Sequence, residues 1–340
     1  MTAPLRWGIM GTGNIAHQFV EGAASARRST VAAAASRRIE NANAFAAKHR
    51  IPTALGNYDQ LLTDAAVDAV YVALPNSMHH EWTLKALRAG KHVLCEKPLA
   101  ANAAQAQEMF DAADKAGLLL VEAFMYRSHP QTHAVLEKVR SGAIGPIRMI
   151  NTSFCFQTSH TEARTNSRFS ALLAGGALMD VGCYCINFSR LITGEEPSTV
   201  HGVAKLHPSG VDEYAAAALA FPGGVVASFV CGMTVQADNS AYVCGENGYI
   251  QVPVPWKPPG HQARFTLAHS APPRMDNPTD AAAPPPQTFS VDADRPLYAL
   301  EADDFAAAVL DHAAPTVTKQ DTLGNMRILD ELRRQVGVPF

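Results

Sequence analysis

Cysteines are few in this 340-residue sequence and are scattered along it. Cys183 and Cys185 would point to different sides of a helix, which is a poor geometry for a disulfide or a zinc site. We therefore expect reduced thiols and no metal site. The six cysteines are Cys95, Cys155, Cys183, Cys185, Cys231 and Cys244.

An excess of charge of one sign is also missing. Lys and Arg number 28 against 31 for Asp and Glu, so the net charge is only -3, and no basic block is visible. The sequence therefore lacks the electrostatic footprint of nucleic-acid binding, and we expect a small-molecule partner. The N-terminus has no long apolar region with a cleavage site, and no later run approaches the ~18 apolar residues of a membrane span. These absences predict a cytoplasmic protein without a membrane partner.

What is present is a globular composition, with 47% hydrophobic and 17% charged residues in a chain long enough for two domains. In residues 1–124, short apolar runs alternate with amphipathic ones, which predicts an α/β Rossmann domain with a doubly wound parallel sheet. The alanine-rich run TVAAAAS could form a helix by propensity, but the rhythm of its neighbours favours a strand. The predicted strands are LRWGIM, TVAAAAS, DAVYVAL, KHVLCEK and GLLLVEAF.

The pattern changes in residues 125–340. Candidate strands follow one another from position 199 to 254 without intervening helices, which predicts an α+β domain with a large, mostly antiparallel sheet. Two proline-rich stretches, 253–260 and 271–286, are predicted loops. Two helices, within 297–314 and 320–335, are predicted to close the chain.

A glycine-rich motif lies between the first predicted strand and the first predicted helix. It reads G-x-G-x-x-A over Gly11, Gly13 and Ala16, followed into the helix by Asn14 and Ile15. Glycines permit a tight turn and close approach to a pyrophosphate, whose charge the helix N-terminus stabilises. This context predicts a dinucleotide site.

The end of the second predicted strand bears on the choice of dinucleotide. NAD sites carry an acidic residue there, but this sequence has Ser36, Arg37 and Arg38, with no acid until Glu40. A hydroxyl and two guanidinium groups suit the extra phosphate of NADP. We therefore favour NADP(H) over NAD(H), although two ordinary surface arginines would give the same pattern.

Polar residues follow the fourth and fifth predicted strands, where ligands of open α/β sheets bind. The first set is Leu74, Pro75, Asn76 and His79, and the second is Glu96 and Lys97. Adjacent histidines diverge around a helix and no third ligand has recognisable spacing. His79 and His80 are therefore interpreted as residues on the cofactor side of the site and not as metal ligands.

The stretch GGALMDVGCY sets an aspartate and a tyrosine four residues apart. On an α-helix, Asp180 and Tyr184 would lie on one face, one turn apart. Gly175 and Gly176 before them would let the backbone lie close to a nicotinamide or a substrate.

Together, GTGNIA, LPNSMHH, CEKPLA, EAFMYRSHPQ and GGALMDVGCY, in this order and at this spacing, strongly resemble the Gfo/Idh/MocA oxidoreductase family over essentially the whole chain. The last two motifs are most similar to the subgroup of glucose-fructose oxidoreductase, NADP-dependent D-xylose dehydrogenase and dimeric dihydrodiol dehydrogenase. The resemblance implies hydride transfer between a nicotinamide and a carbinol or carbonyl carbon of a sugar or polyol. It also implies a homodimer or homotetramer formed through the open face of the C-terminal sheet.

The resemblance also implies residue roles. Lys97 matches the family's EKP lysine, while Asp180 and Tyr184 match its D-x-x-x-[H/Y] pair; the tyrosine argues against an inositol dehydrogenase. The hypothesis is that Tyr184 acts as general acid/base, that Lys97 lowers its pKa, and that Asp180 binds a substrate hydroxyl or orders Lys97. Arg127 is placed near the substrate, although a structural ion pair explains it equally well, and Phe156 lies in a loop that would set specificity.

Two alternatives stay open at this point. The enzyme could run as a reductase of a keto-sugar or a dicarbonyl of the anhydrofructose type. The chain could also be a regulator that binds dinucleotide without turnover, since fold alone does not fix function. A regulator would be expected to have lost Lys97, Asp180 or Tyr184, and all three are present.

Overall fold

A computed structural model of the chain describes residues 3–159, 161, 166–269 and 284–338. Most of the second predicted proline-rich loop, residues 271–283, lies outside the described residues, as does part of the loop 156–169 that was predicted to set specificity.

The first sheet has six parallel strands in the order β3-β2-β1-β4-β5-β6. The strand order reverses between β1 and β4, and ligands of open α/β sheets bind at the carboxyl ends of strands beside such a reversal. Its strands are β1 (Leu5–Met10), β2 (Ser29–Ala35), β3 (Thr53–Leu55), β4 (Ala69–Val72), β5 (His92–Glu96) and β6 (Leu120–Ala123). The helices along it are α1 (Asn14–Ala23), α2 (Ile39–His49), α3 (Tyr58–Thr63), α4 (Asn76–Arg88) and α5 (Ala103–Ala116).

The alanine-rich run forms strand β2, as its neighbours predicted. Ala33, Ala34 and Ala35 are fully buried between β1 and β3, so packing outweighs the helix propensity of alanine. Strand β3 was not predicted, because its three residues are too few to show a pattern.

The second sheet has eight strands in the order β14-β13-β12-β11-β7-β10-β9-β8. Only β7 and β10 pair in parallel, and the other pairs are antiparallel. The predicted fold class is confirmed, although β13 and β14 were not predicted. The strands are β7 (Ile147–Cys155), β8 (Thr199–Leu206), β9 (Asp212–Ala220), β10 (Val226–Gly232), β11 (Ala241–Gly245), β12 (Tyr249–Val252), β13 (Ala263–Ala268) and β14 (Gln287–Val291). The later helices are α6 (Pro130–Arg140), α7 (Cys183–Thr193), α8 (Leu297–Leu310) and α9 (Lys319–Val336).

The closing helices join the two halves. Helix α8 packs on α1. Phe305 of α8 contacts the buried Trp7 of β1, with ring centroids 4.9 Å apart. The carboxylate of Asp303 accepts hydrogen bonds from the backbone N–H groups of Arg27 and Arg28. Helix α9 contacts α5 on one side and α7 and β8 on the other. The division of the chain at residue 124 stays a prediction.

One segment, Ala171–Thr193, is long and apolar enough to cross a membrane by length and composition, contrary to the expectation that no run comes close. In the structure, 78% of its apolar window is buried inside the protein. Most of its apolar side chains therefore pack in the core of the fold, although Leu172 is exposed.

Candidate active site

A cleft of about 660 Å³ lies at the carboxyl ends of β1, β4 and β5 and is covered from the other side by the residues before α7. Most of the predicted site residues line it. These are Gly13, Asn14, Ile15, Leu74, Pro75, Asn76, Glu96, Lys97, Phe156, Asp180 and Tyr184.

The glycine-rich loop has the geometry of an anion site. Gly11 has a φ of 104°, and a Cβ there would lie 2.5 Å from the carbonyl oxygen of Ala73, so only glycine fits. A Cβ on Gly13 would meet nothing within 4 Å. Gly13 is the N-cap of α1 and provides no side-chain cap, and the first turn has no acidic residue, so the first N–H groups face the cleft uncapped. Such a helix end favours a negatively charged ligand.

The predicted NADP determinants lie on a separate concavity of about 570 Å³. Arg37 and Arg38 line it together with residues of α2 and the start of α3, while Ser36 is buried at the end of β2. Arg38 pairs with Glu40 at 3.6 Å, and both side chains are exposed, so this ion pair contributes little and leaves the guanidinium available.

His79 does not line the cleft, so its predicted contact with the cofactor has no support in its position. Its ring is fully buried, and its two nitrogens lie 3.0 Å from the carbonyl oxygen of Pro98 and 2.8 Å from that of Leu74. Burial lowers the pKa of this imidazole. The ring links the loops after β4 and β5, so His79 holds in place the segments that carry Asn76 and Lys97.

Lys97 and Asp180 form a buried ion pair, with each side chain 14% exposed. The ammonium donates to Oδ1 of Asp180 at 3.2 Å and to its backbone oxygen at 2.8 Å, while Arg168 Nε donates to Oδ2 at 2.7 Å. Burial alone would lower the pKa of Lys97, but the charge of Asp180 raises it above its usual value. Burial alone would raise the pKa of Asp180, but Lys97 and Arg168 lower it. Both groups are therefore charged at neutral pH.

Tyr184 points into the cleft from an aromatic cage. Its hydroxyl lies 3.4 Å from the sulfur of Met125, and its ring meets those of Phe124, Phe154 and Trp256 at 5.1 to 5.9 Å between centroids. Burial, followed by the charge of Glu96, raises the pKa of Tyr184 well above its usual value.

The raised pKa of Tyr184 is opposite to the direction expected from Lys97, and the effect of Lys97 on Tyr184 stays a prediction. The Lys97 ammonium lies 5.2 Å from the centre of the tyrosine ring and forms its ion pair with Asp180. Tyr184 is a protonated phenol at neutral pH.

The helix that bears the pair does not begin as predicted. Leu178–Gly182 forms one π-helical turn, and α7 follows it. Wide turns of this kind are frequent at functional sites. Here Asp180 lies in the wide turn and Tyr184 in the first turn of α7, and both line the cleft.

Gly175 lines the cleft, and the predicted approach of the two glycines to a nicotinamide or substrate stays a prediction. Both glycines also bring the backbone close to other parts of the protein. A Cβ on Gly175 would lie 2.2 Å from the carbonyl oxygen of Arg168, and one on Gly176, whose φ is 114°, would lie 2.2 Å from Oδ1 of Asp212. Oδ2 of Asp212 accepts a 2.6 Å hydrogen bond from Leu178 N–H. The glycines therefore bring the backbone close to Arg168 and Asp212, which fixes the start of the helix.

Arg127 is absent from the cleft lining, and its side chain is only 9% exposed. Its guanidinium donates to Asn187 at 3.3 Å and to the carbonyl oxygen of Thr316 at 3.0 Å, and it lies 3.5 Å from Asp321. The sequence left two interpretations of Arg127 open, a position near the substrate and a structural ion pair. Its position favours the ion pair. Through these contacts Arg127 connects α7 to the segment that contains the start of α9.

Several cleft residues were missed by sequence reasoning. Lys257, in the proline-rich loop 253–260, donates a 3.0 Å hydrogen bond to Gln18 of α1 and so links the two walls. Arg168 holds Asp180, and its guanidinium lies 5.9 Å from the ring centre of Phe156. Neither cation stands in a motif, so no local signal could have identified them. The other unpredicted lining residues are Ala73, Met125, Phe154, Ser167, Leu173 and Val181.

Comparisons with known families and proteins agree with this arrangement. A model described as "Oxidoreductase family, NAD-binding Rossmann fold" matches residues 5–124, and one described as "GFO/IDH/MocA C-terminal domain" matches residues 132–251. Trans-1,2-dihydrobenzene-1,2-diol dehydrogenase of Mus musculus is 38% identical over 257 residues, which cover 75% of this chain and 76% of the mouse protein.

Two solved structures are similar over the whole length. A 3-ketoreductase from Actinomadura kijaniata, in complex with NADP and TDP-benzene, superposes with a TM-score of 0.86 at 31% identity and covers 98% of both chains. An aldose-aldose oxidoreductase from Caulobacter crescentus, complexed with glycerol, has a TM-score of 0.86 at 28% identity and the same coverage.

Proposed function

The chain belongs to the Gfo/Idh/MocA family of oxidoreductases with an NAD-binding Rossmann fold, and from this we propose that it transfers hydride between NADP(H) and a carbinol or carbonyl carbon of a sugar, polyol or sugar derivative. The observation that carries the proposal is a single cleft with two ends. One end is the uncapped glycine-rich turn, and the other is lined by Lys97, Asp180 and Tyr184.

Each of the three residues has a role in the proposed reaction. Tyr184 gives its proton to the substrate oxygen as hydride reaches the carbon, and takes a proton back when the reaction runs as an oxidation. The Lys97 ammonium orients that oxygen and stabilises the negative charge that develops on it. Asp180 orders Lys97 and offers a carboxylate to a substrate hydroxyl.

Tyr184 can serve the reductive direction. A tyrosine phenol is protonated at neutral pH and can donate its proton to a carbonyl oxygen as hydride reaches the carbon. We propose carbonyl reduction with NADPH, with alcohol oxidation as the reverse reaction. The 3-ketoreductase from Actinomadura kijaniata, solved with NADP, is consistent with this proposal.

The direct test is the absorbance of reduced nicotinamide. Purified protein is given NADPH or NADH with a panel of keto-sugars and dicarbonyls, and NADP⁺ or NAD⁺ with aldoses, polyols and cyclic sugar derivatives. We expect turnover with at least one sugar class and a preference for NADP(H) over NAD(H). Cofactor binding in a parallel titration without any turnover would count against the proposal and favour a regulator.

Replacing Arg37 and Arg38 together by alanine is expected to weaken NADPH binding by roughly 10- to 1000-fold and to leave NADH binding nearly unchanged. A hydrogen bond to a charged group contributes about 1.5–3 kcal/mol, and the two guanidinium groups are proposed to bind the phosphate that only NADPH carries. Fluorescence titration with both cofactors measures the effect. Arg88→Ala, at an exposed arginine near the end of α4, is the control. Equal losses for NADPH and NADH would contradict this role.

We further propose that the enzyme is a homodimer through the open face of the second sheet. Along the register, Val203 pairs with Ala216 and Ala216 with Val230, while Met149 pairs with Val226, so these side chains share one face. Met149, Val226, Val230, Val203 and Tyr214 are 43–71% exposed. An apolar patch of this kind marks an interaction surface, and a second copy would cover it.

Val230→Asp is expected to convert the dimer to monomer, because a twofold interface would bury the new carboxylate twice without a partner. Sedimentation velocity measures the mass of the wild type and the variant. Val254→Asp changes an exposed valine outside the strands and serves as the control. A wild-type protein that sediments as a monomer would refute the proposed dimer.

The proposed location of the protein is the cytoplasm.

A further inference from the structure

A second group of potential ligands lies outside the cleft, between helices α1 and α2. His17 and Glu21 are four residues apart on α1 and therefore share one face, and His49 is the last residue of α2. One nitrogen of each imidazole and one oxygen of the carboxylate all lie within 4.8 Å of one another. We propose that His17, Glu21 and His49 bind a divalent metal ion of the Zn²⁺ type. The bound ion would cross-link helices α1 and α2.

The two rings are already directed at each other. Nδ1 of His17 and Nε2 of His49 are 2.6 Å apart. The ring of Phe45, which is almost fully buried, contacts both imidazoles at 4.6 and 4.7 Å between centroids and fixes their orientation. The two nitrogens thus lie close together before any ion arrives, which reduces the cost of assembling a site.

Imidazole is the commonest metal ligand among protein side chains, and its neutral form is the one that binds the ion.

A tetrahedral site requires the ligand atoms to shift from their present positions. Ligand atoms at 2.0–2.1 Å in a tetrahedral zinc site are about 3.4 Å from one another. The two histidine nitrogens would have to separate by roughly 0.8 Å, replacing their mutual hydrogen bond by two bonds to the ion. Two histidines and one carboxylate make a common zinc donor set that leaves the fourth position for water.

Among the residues that the structure describes, Lys48 is the neighbouring cation that competes for Glu21. It lies 3.4 Å from Oε1 of Glu21, but both side chains are more than half exposed, so this ion pair is weak. A carboxylate has two oxygens, and the second can bind the ion while the first keeps the lysine.

The experiment measures Zn²⁺ binding to the untagged full-length protein by isothermal titration calorimetry, with thermal unfolding as a second readout. Four variants are compared with the wild type: His17→Gln, His49→Gln, Glu21→Gln and the control His80→Gln. The control removes a histidine that also contacts a carboxylate, that of Glu108 at 2.8 Å, but has no part in the cluster. Unfolding in the presence of EDTA shows whether each variant is folded.

We expect the wild type and His80→Gln to bind one Zn²⁺ per chain and to melt at a higher temperature with the ion. Loss of an outer partner of a metal ligand already costs about 10–100-fold in affinity, so each cluster variant is expected to bind at least 10-fold more weakly. It should also lose the thermal shift. Equal affinity in the cluster variants and the wild type, or less than one equivalent bound by the wild type, would overturn the proposal. Co²⁺ in place of Zn²⁺ adds a spectrum, and strong thiolate charge-transfer bands in it would likewise overturn the proposal.

Discussion

Tyr184→Phe is expected to lower kcat by about 10²–10⁴-fold, which is the usual contribution of a positioned acid or base. The substitution keeps the ring and its contacts with Phe124, Phe154 and Trp256, so the cage stays filled. The hydroxyl that it removes contacts only a weak acceptor, the Met125 sulfur, so little stability is expected to be lost.

Tyr126→Phe is the matched control for this prediction. Tyr126 is also fully buried, and its hydroxyl donates to the side-chain oxygen of Asn187, but it does not line the cleft. We expect this variant to lose stability and keep kcat, the reverse of Tyr184→Phe. Turnover of Tyr184→Phe close to that of the wild type, with normal NADPH binding, would show that another group carries the proton.

The second large effect is expected for Lys97→Met. Methionine keeps the length and the apolar stem of lysine but removes the charge, and losing one donor that stabilises a developing oxyanion costs about 10²–10³-fold in kcat. NADPH binding is expected to change much less, because the glycine-rich turn lies on a different part of the cleft. Pre-steady-state and steady-state rates with saturating NADPH separate the two effects.

Lys97→Met should also destabilise the protein, because it leaves Asp180, which is 14% exposed, with Arg168 as its remaining cation. Adding Asp180→Asn removes that charge, so the double variant is expected to be more stable than Lys97→Met alone while kcat stays low. This difference separates a structural role of the ion pair from a role in the reaction. Lys257→Met changes the other lysine of the cleft and serves as the control. We expect its kcat to be much higher than that of Lys97→Met. A smaller loss of kcat for Lys97→Met than for Lys257→Met would refute the assignment of Lys97.

The fold class and most of the cleft residues can be predicted from local sequence patterns. Strand β1, the turn at Gly11 and helix α1 are contiguous, so the requirement for glycine beside a pyrophosphate can be recognised from spacing. The positions of Asn76 and Lys97 follow in the same way, because the carboxyl ends of parallel strands meet at one edge of the sheet. Local patterns of this kind depend on backbone geometry, which short sequences encode.

The pairing and protonation of the site residues depend on contacts that form when the chain folds. Lys97 and Asp180 are 83 positions apart and form an ion pair, while burial, followed by the charge of Glu96, raises the pKa of Tyr184. Lys257, Arg168 and the contact between His17 and His49, 32 positions apart, were equally hidden. Burial and Coulomb interactions act through space and not along the chain, so their effect on a side chain depends on neighbours that no local motif contains.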